Sequence, residues 1–177
     1  MIIRRLDARA IDGVRPQLAT LLLDAVADGY SLGFLAGLDD LQLDAYWSGV
    51  AADVARGCRV LLVAERNGLL VGSSQLELCL TPNGSNRASV QTMLVHCTLR
   101  RRGIGTALLQ AAEIEALSLR RGLLLLETEA GSGADRLAAR EGYTQVGELP
   151  DYACSPNGHW RATTLWYKTL FARARRY

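Results

Sequence analysis

The stretch LRRRGIGTALL, residues 99–109, places three arginines before two glycines and leads directly into an apolar helical pattern. The first N–H groups of a helix lack partners within the helix, and their partial positive charge favours an anion. Glycine lacks the Cβ atom that would hold a phosphate away from them. The stretch therefore predicts a phosphate-binding loop. Helix packing by the glycines, solvated arginines or a nucleic-acid contact are the alternative interpretations.

The glycine spacing argues against two common nucleotide-binding loops. A Walker loop requires GxxxxGK[ST], which this stretch does not match. A dinucleotide loop has the pattern GxGxxG, and here Leu108 stands at its third glycine. An enzyme that uses a nucleoside triphosphate or a dinucleotide is therefore disfavoured.

Two acidic residues, Glu127 and Glu129, end the apolar segment GLLLLETE. Side chains two residues apart share one face of a strand, so both carboxylates can face the same site. A carboxylate there can accept a proton directly or through water, which makes Glu127 the candidate general base. The alternative for Glu129 is a structural contact with a neighbouring N–H group or arginine.

The composition is typical of one globular domain. The 177 residues suffice for a single sizeable core, so we expect one domain over residues 1–177. No apolar run approaches the ~20 residues that a membrane span needs. The start MIIRRLDARA lacks the apolar region of a signal peptide, which predicts a cytoplasmic protein without a membrane partner.

Charge and cysteine spacing argue against nucleic acid and metal as partners. The net charge of +2 is small, and much of the positive charge lies in two clusters, residues 100–102 and the tail FARARRY. The four cysteines are widely spaced without a CxxC pair, and only two histidines are available. We therefore expect reduced thiols and no metal site.

The elements that position the candidate residues follow from hydrophobic periodicity. IIRRL predicts a strand, and helices are predicted over residues 10–28 and from Asp39 or Asp40 to about Arg56. CRVLLVAE and LLVGSSQLELCL flank Asn67-Gly68, a strong hairpin signal. ASVQTMLVH predicts a further strand.

The second half of the chain alternates strands with helices. A helix is predicted from Gly103 to about Leu119, followed by GLLLLETE as a buried strand and GADRLAAREG as a helix. YTQVGEL and ATTLWYKTL predict the last two strands. The order predicts an α/β or α+β sheet protein with crossover helices.

The segment MLVHCTLRRRGIGTALL resembles motif A of the GNAT acetyltransferases, a strand followed by R/Q-x-x-G-x-G/A, with Arg100, Gly103 and Gly105 at its fixed positions. Segments from SLGFLAGLD to YKTL resemble, in order, the tabtoxin resistance proteins of this family, and together they cover nearly the whole chain. The resemblance implies the GNAT fold, a single mixed and mostly antiparallel sheet of six to seven strands with about four helices. That sheet is splayed at the acetyl-CoA strand.

The resemblance implies acetyl transfer from acetyl-CoA, without a metal, to an amine of a small molecule such as tabtoxinine-β-lactam. The acceptor would be a toxin or an antibiotic, and the protein a monomer or homodimer. The N–H of Leu94 would stabilise the oxyanion, and Glu127 would occupy the place of a catalytic carboxylate. The expected cofactor-binding residues are Met93, Leu94, Val95, Arg100, Arg101, Arg102, Gly103, Ile104, Gly105 and Thr106.

Two departures from the family pattern bear on the chemistry. Ser89 stands where the tabtoxin resistance proteins have a second carboxylate, and Ala138 stands where many members have a tyrosine that protonates the leaving thiolate. A protein acetyltransferase and a non-catalytic acyl-CoA sensor therefore remain as alternatives. The expected substrate contacts are Phe34, Asp39, Glu129 and Tyr152, with Tyr30, Asp40, His159 and Trp160 as further candidates.

Overall fold

A computed structural model describes residues 1–30 and 32–171, so the basic tail lies almost entirely outside the described residues. Within them, seven strands form one sheet in the order β1-β2-β3-β4-β5-β7-β6, with four α-helices around it. The strands are β1 Ile2–Leu6, β2 Arg59–Arg66, β3 Leu69–Leu78, β4 Arg87–Val95, β5 Leu123–Glu129, β6 Thr144–Cys154 and β7 Trp160–Thr169. The helices are α1 Ala8–Ala27, α2 Asp40–Ala55, α3 Ile104–Ser118 and α4 Gly133–Arg140.

Helices cover both faces of the sheet, as the continuous apolar run at residues 60–64 of β2 requires, because successive side chains of a strand point to opposite faces. Leu61 and Val63 join the core beneath α1 and α2, where Trp47 is fully buried. Val60 and Leu62 point to the opposite face and pack in the core that includes α3. Full burial of each leucine stabilises the fold by roughly 1.5–3 kcal/mol.

Side chains cap three of the four helices. The Asp7 carboxylate accepts the Ala10 N–H at 2.8 Å and begins α1. Asp39 begins α2 in a reciprocal capping box with Gln42, and Ser132 caps α4. Gly103 precedes α3 without any side-chain cap.

Strands β4 and β5 are the only parallel neighbours in the described sheet, and they pair over a short length. Their register extends from Arg87 opposite Leu123 to Val90 opposite Leu126. Beyond these residues both strands continue without pairing to each other, which confirms the predicted splay. A β-bulge in β4 against β3 follows at once, and Thr92 within it has a φ of 43°.

Most predicted elements lie within a few residues of the observed ones, and β6 is the main exception. The sequence predicts a strand that ends at Leu149 and a long loop after it. The observed strand continues to Cys154 through a bulge. Pro150 and the polar residues after it suggest a loop locally, but pairing of Ala153 with Arg161 on β7 extends the strand.

Candidate functional site

A cleft of about 1510 Å³ opens where β4 and β5 separate. Its floor is formed by residues 89–95 of β4 and residues 125–129 of β5. The start of α3, the start of α4, the loop after α1 and the end of β6 form its walls. Divergence of two parallel strands leaves main-chain groups without sheet partners, and these groups become available to a ligand.

The start of α3 forms one end of this cleft. Gly103 has a φ of 81°, a conformation that glycine adopts without strain, and it presents no side chain to cap the helix. The N–H groups at the first positions of α3 are therefore available to an anion. Gly105 has a different role, since a Cβ atom there would lie 3.3 Å from Leu137 of α4.

Arg100 lies in the cleft lining, and its side chain contacts β4 and α1. Its Nε donates to the Val95 carbonyl at 3.0 Å, and its guanidinium pairs with Asp28 and, at 3.6 Å, with Asp24. The guanidinium also lies 4.9 Å from the centre of the Tyr30 ring. Arg100 therefore joins the loop before α3 to the end of α1.

Other arginines take the positions around the start of α3. Arg101 lines the cleft, whereas Arg102 is exposed outside its lining, and the Ile104 side chain is buried in the core. Arg136 and Arg140 of α4 also line the cleft, and Arg140 donates to the Thr106 hydroxyl at 2.7 Å. No sequence pattern indicates the two α4 arginines, because only the tertiary fold brings α4 beside α3.

Hydrogen bonding between β3 and β4 decides which main-chain groups of β4 face the cleft. The His96 N–H donates to the Val71 carbonyl at 3.1 Å. Along an antiparallel pair, hydrogen-bonded positions recur at every second residue. Leu94 lies opposite Ser73, and these two residues are each two positions from the His96–Val71 hydrogen bond. The Leu94 N–H therefore points to β3, and its predicted role as the oxyanion donor is wrong.

Met93 and Val95 direct their main chain toward the cleft instead. The Val95 carbonyl accepts from Arg100 rather than from β3, which agrees with this direction. Both side chains pack against the core on the α3 side of the sheet. The N–H groups of these two residues are therefore the β4 donors that a ligand in the cleft would meet.

Glu127 and Tyr152 meet in the cleft. The Tyr152 hydroxyl donates to Glu127 Oε2 at 3.0 Å. This hydrogen bond, together with the negative charge of Glu127, raises the pKa of Tyr152, so the phenol keeps its proton. Glu129 lies on the same face of β5, 4.0 Å from Arg161 of β7, and all four side chains line the cleft.

Backbone strain in the described chain is concentrated around this cleft. Five residues other than glycine have positive φ; Asn67 belongs to the hairpin turn and Arg120 follows the end of α3. The remaining three are Thr92, Arg101 and Asp151. Thr92 and Arg101 line the cleft, and Asp151 immediately precedes Tyr152. Such conformations cost about 1–3 kcal/mol each and cluster at functional sites.

Comparison with known proteins identifies the family to which this arrangement belongs. Residues 57–147, just over half of the chain, match the model of the acetyltransferase (GNAT) domain. The chain belongs to the GNAT family. It is therefore an N-acetyltransferase, and the uncapped start of α3 together with the open main chain of β4 fits the acetyl-CoA that GNAT enzymes use.

Solved structures support the GNAT fold over nearly the whole chain. A ribosomal-protein-alanine N-acetyltransferase from Brucella melitensis is 25% identical, with a TM-score of 0.78 and coverage of 96% of this chain and 100% of that one. A Salmonella typhimurium protein with its cofactor acetyl-CoA is 20% identical, with a TM-score of 0.82 and coverage of 99% and 97%. An aminoglycoside 6'-acetyltransferase type Ii is 20% identical, with a TM-score of 0.72 and coverage of 98% and 100%.

One wall of this GNAT cleft is formed in part by the loop after α1. Tyr30 and Phe34 line the cleft as predicted, together with Leu32 and Leu35. Asp39 does not, because its carboxylate accepts the Gln42 N–H at 2.7 Å and caps α2. The further candidates Asp40, His159 and Trp160 also lie outside the cleft lining.

The two departures from the GNAT pattern differ in their surroundings. Ala138 is fully buried in the core beside α3, so no hydroxyl enters the cleft from this position. Ser89 lines the cleft and lies opposite Leu125, two residues before Glu127. A larger polar side chain at residue 89 would therefore point into the cleft near Glu127.

One group of metal-ligating side chains lies behind the GNAT phosphate loop. Ligand atoms of Asp24, His96 and Cys97 lie within 4.8 Å of one another. The Asp24 carboxylate already accepts the Cys97 N–H at 2.7 Å and faces Arg100. We assign this group to anchoring the loop on α1, because the arginine supplies the positive charge that a metal would bring.

The cysteines and the helices bear on the sequence-based expectations of reduced thiols and no membrane span. All four cysteines lie in the described residues, and no disulfide joins them. Among the described helices, not one combines the length and the apolar character that crossing a bilayer requires.

Proposed function

We propose that the protein transfers the acetyl group of acetyl-CoA to an amine of a small molecule, a toxin or antibiotic such as tabtoxinine-β-lactam. The observation that carries the proposal is the Glu127 carboxylate, which lies in the cleft at the point where β4 and β5 separate. An attacking amine must lose a proton, and a carboxylate in this position can accept it directly or through water.

The proposal assigns the cofactor to the main chain and the arginines. The N–H groups of residues 101–106 hold the pyrophosphate, with Gly103 allowing its close approach and Gly105 allowing α4 to pack against the start of α3. Arg101, Arg136 and Arg140 supply positive charge to the phosphates, while Arg100 holds the loop in place. The Met93 or Val95 N–H stabilises the oxyanion that develops on the thioester oxygen.

A small acceptor is supported by the wall that the α1–α2 loop contributes. Leu32, Phe34 and Leu35 line the cleft on the side of this loop, and Glu127 and Glu129 supply negative charge that attracts an ammonium group. Arg161 beside Glu129 provides a partner for a carboxylate of the acceptor. A zwitterionic amino acid such as tabtoxinine-β-lactam matches this charge arrangement.

A second candidate is a protein N-terminal acetyltransferase. The likeness to a ribosomal-protein-alanine N-acetyltransferase favours it, at 25% identity over 96% of this chain. A protein acceptor needs an open groove for an extended peptide, whereas the aromatic and aliphatic side chains of the α1–α2 loop narrow the acceptor side of this cleft.

We also propose that the chain acts in the cytoplasm as a single domain, in a monomer or homodimer.

The test is release of the coenzyme A thiol with a panel of amines that includes tabtoxinine-β-lactam, common amino acids, an aminoglycoside and an alanine-starting peptide. We expect turnover with an amino-acid acceptor. Glu127→Gln should lower this turnover about 10²-fold or more while acetyl-CoA affinity by calorimetry is unchanged. The defect should be only partly relieved at high pH, because the amine is then already neutral but its nitrogen still loses a proton after the attack.

The matched control is Glu148→Gln, an exposed glutamate of β6 outside the cleft lining. Ser89→Glu adds a second carboxylate near Glu127 and should raise turnover of tabtoxinine-β-lactam. Turnover with the peptide alone would favour the protein acetyltransferase. Binding of acetyl-CoA without turnover of any amine would reject both candidates and leave an acyl-CoA sensor.

A further inference from the structure

Tyr152 reaches Glu127 from a strand that does not neighbour β5. Strand β7 lies between β5 and β6 in the sheet. Leu149 pairs with Thr163 and Ala153 pairs with Arg161, so four steps along β6 correspond to two along β7. The extra residues bulge out of the strand, and a bulge changes the direction in which a side chain points.

The conformation of this bulge is strained at the residue before the tyrosine. Asp151 has a φ of 51°, in the left-handed region that side-chain-bearing residues seldom adopt. The strain accompanies a tyrosine whose ring is half exposed and whose hydroxyl ends in the cleft. Packing of a core does not explain an exposed ring held on a strained bulge, so the position of its hydroxyl requires a functional explanation.

We propose that Tyr152 donates a proton to the thiolate that leaves during acetyl transfer and regains that proton from Glu127. The inference rests on the proposed function, because it uses Glu127 as the base. The 3.0 Å hydrogen bond from the Tyr152 hydroxyl to Glu127 is the path for this exchange. The phenol is protonated before the reaction, since the adjacent carboxylate raises its pKa.

The protons balance along this path for a neutral amine. The amine nitrogen forms a bond to the thioester carbon, and Glu127 accepts the proton that the nitrogen then loses. The carbon–sulfur bond breaks, sulfur keeps the bonding electron pair, and the Tyr152 hydroxyl gives its proton to sulfur. Glu127 returns a proton to the Tyr152 oxygen, so both side chains end in their starting states and the products are an amide and a thiol.

This path gives the chain a proton donor from β6 rather than from α4. Residue 138 of α4 is an alanine buried in the core, so it supplies no proton. Thr128 lies on the opposite side of β5, where its hydroxyl donates to Asp135. Tyr152 is therefore the hydroxyl that meets the candidate base in the described cleft.

The experiment compares Tyr152→Phe with the control variant Tyr167→Phe. The control removes a hydroxyl on β7 that lies outside the cleft lining. Tyr152→Phe should lower kcat about 10²-fold with little change in the KM for acetyl-CoA, and the control should stay near wild type. Calorimetry should show that acetyl-CoA binds both variants like the wild type.

A change of leaving group separates proton donation from mere positioning of Glu127. The thiolate of an acidic aromatic thiol leaves without a proton donor. With the acetyl thioester of such a thiol, the Tyr152→Phe defect should therefore largely disappear. An equal defect with both thioesters would show that Tyr152 only positions Glu127, and the proton-donor role would be overturned.

A spectroscopic measurement tests the pair without turnover. Ultraviolet titration of the phenols should show one group that ionises at lower pH in Glu127→Gln than in the wild type, and this difference should vanish in a Tyr152→Phe background. Absence of such a change would overturn the proposed path. Absence of wild-type turnover would reject the proposed function itself, whereas wild-type turnover with an unaffected Tyr152→Phe would reject only the role of Tyr152.

Discussion

The Gly103→Ala variant tests the phosphate loop most directly, because the conformation of this residue sets its expected energetic effect. Gly103 has a φ of 81°, and a Cβ atom added there would meet nothing within 4 Å. The cost is therefore conformational rather than steric, and an L-residue in the left-handed region costs roughly 1–2 kcal/mol. This cost must appear either in folding, if the loop keeps its shape, or in cofactor binding, if the loop relaxes.

Two measurements on the same variant divide this cost. If the loop keeps its shape, thermal unfolding should show Tm lowered by about 2–8 °C for a chain of this size. If the loop relaxes and must be restored by the cofactor, calorimetry should show coenzyme A bound about 5- to 30-fold more weakly. The folding and binding losses together should reach about 1–2 kcal/mol.

Gly57→Ala is the matched control, because Gly57 has a φ of 72° and equally open surroundings but lies between α2 and β2. Its whole cost should appear in Tm, with coenzyme A affinity unchanged. Wild-type Tm together with wild-type coenzyme A affinity in Gly103→Ala would refute the expected conformational cost at this residue. Equal loss of affinity in both variants would refute the role of Gly103 in the phosphate loop.

Two further predictions concern charge. Arg101, Arg136 and Arg140 line the cleft, and we propose that they supply positive charge to the phosphates of coenzyme A. Calorimetry should therefore show salt-sensitive binding and a preference for coenzyme A over its 3′-dephospho form. Equal affinities would show that these arginines do not contact the 3′-phosphate. Burial alone would raise the pKa of Asp135, but hydrogen bonds from the Gly131 N–H, Thr128 and Trp166 outweigh it and lower the pKa. Asp135 therefore stabilises the fold above its unfolded pKa near 3.8, and this contribution is lost as pH falls below that value. Urea unfolding from pH 6 to pH 3 should show a weaker pH dependence in Asp135→Asn, and an unchanged dependence would contradict the assignment.

Local sequence signals predicted the elements whose formation depends on neighbouring residues. The apolar run of β2, the Asn67-Gly68 turn and the Asp39 cap each act over a few residues, and each is present in the structure. Asp39 also shows the limit of residue type as evidence, since a carboxylate predicted to contact substrate caps a helix instead. The same acceptor oxygen serves either role, and only its surroundings decide between them.

Sequence spacing indicates cleft-lining residues that lie on a single loop or strand, but not contacts between elements that are distant in the chain. Gly103 and Glu127 lie on one loop and one strand, so spacing alone brought them to attention. The direction of the Leu94 N–H depends on pairing with β3, and the contact of Tyr152 with Glu127 depends on a bulge two strands away. Hydrophobic periodicity contains no signal for either feature.

The guanidinium of Arg100 has a thermodynamic consequence for the two substrates. It ties the loop before α3 to Asp28 at the end of α1 and lies over the ring of Tyr30, at the beginning of a second loop that lines the cleft. If a ligand orders one of these loops, the entropy that ordering the other still costs falls. Linkage is reciprocal, so any factor by which acetyl-CoA changes the affinity for an acceptor in this cleft is also the factor by which that acceptor changes the affinity for acetyl-CoA.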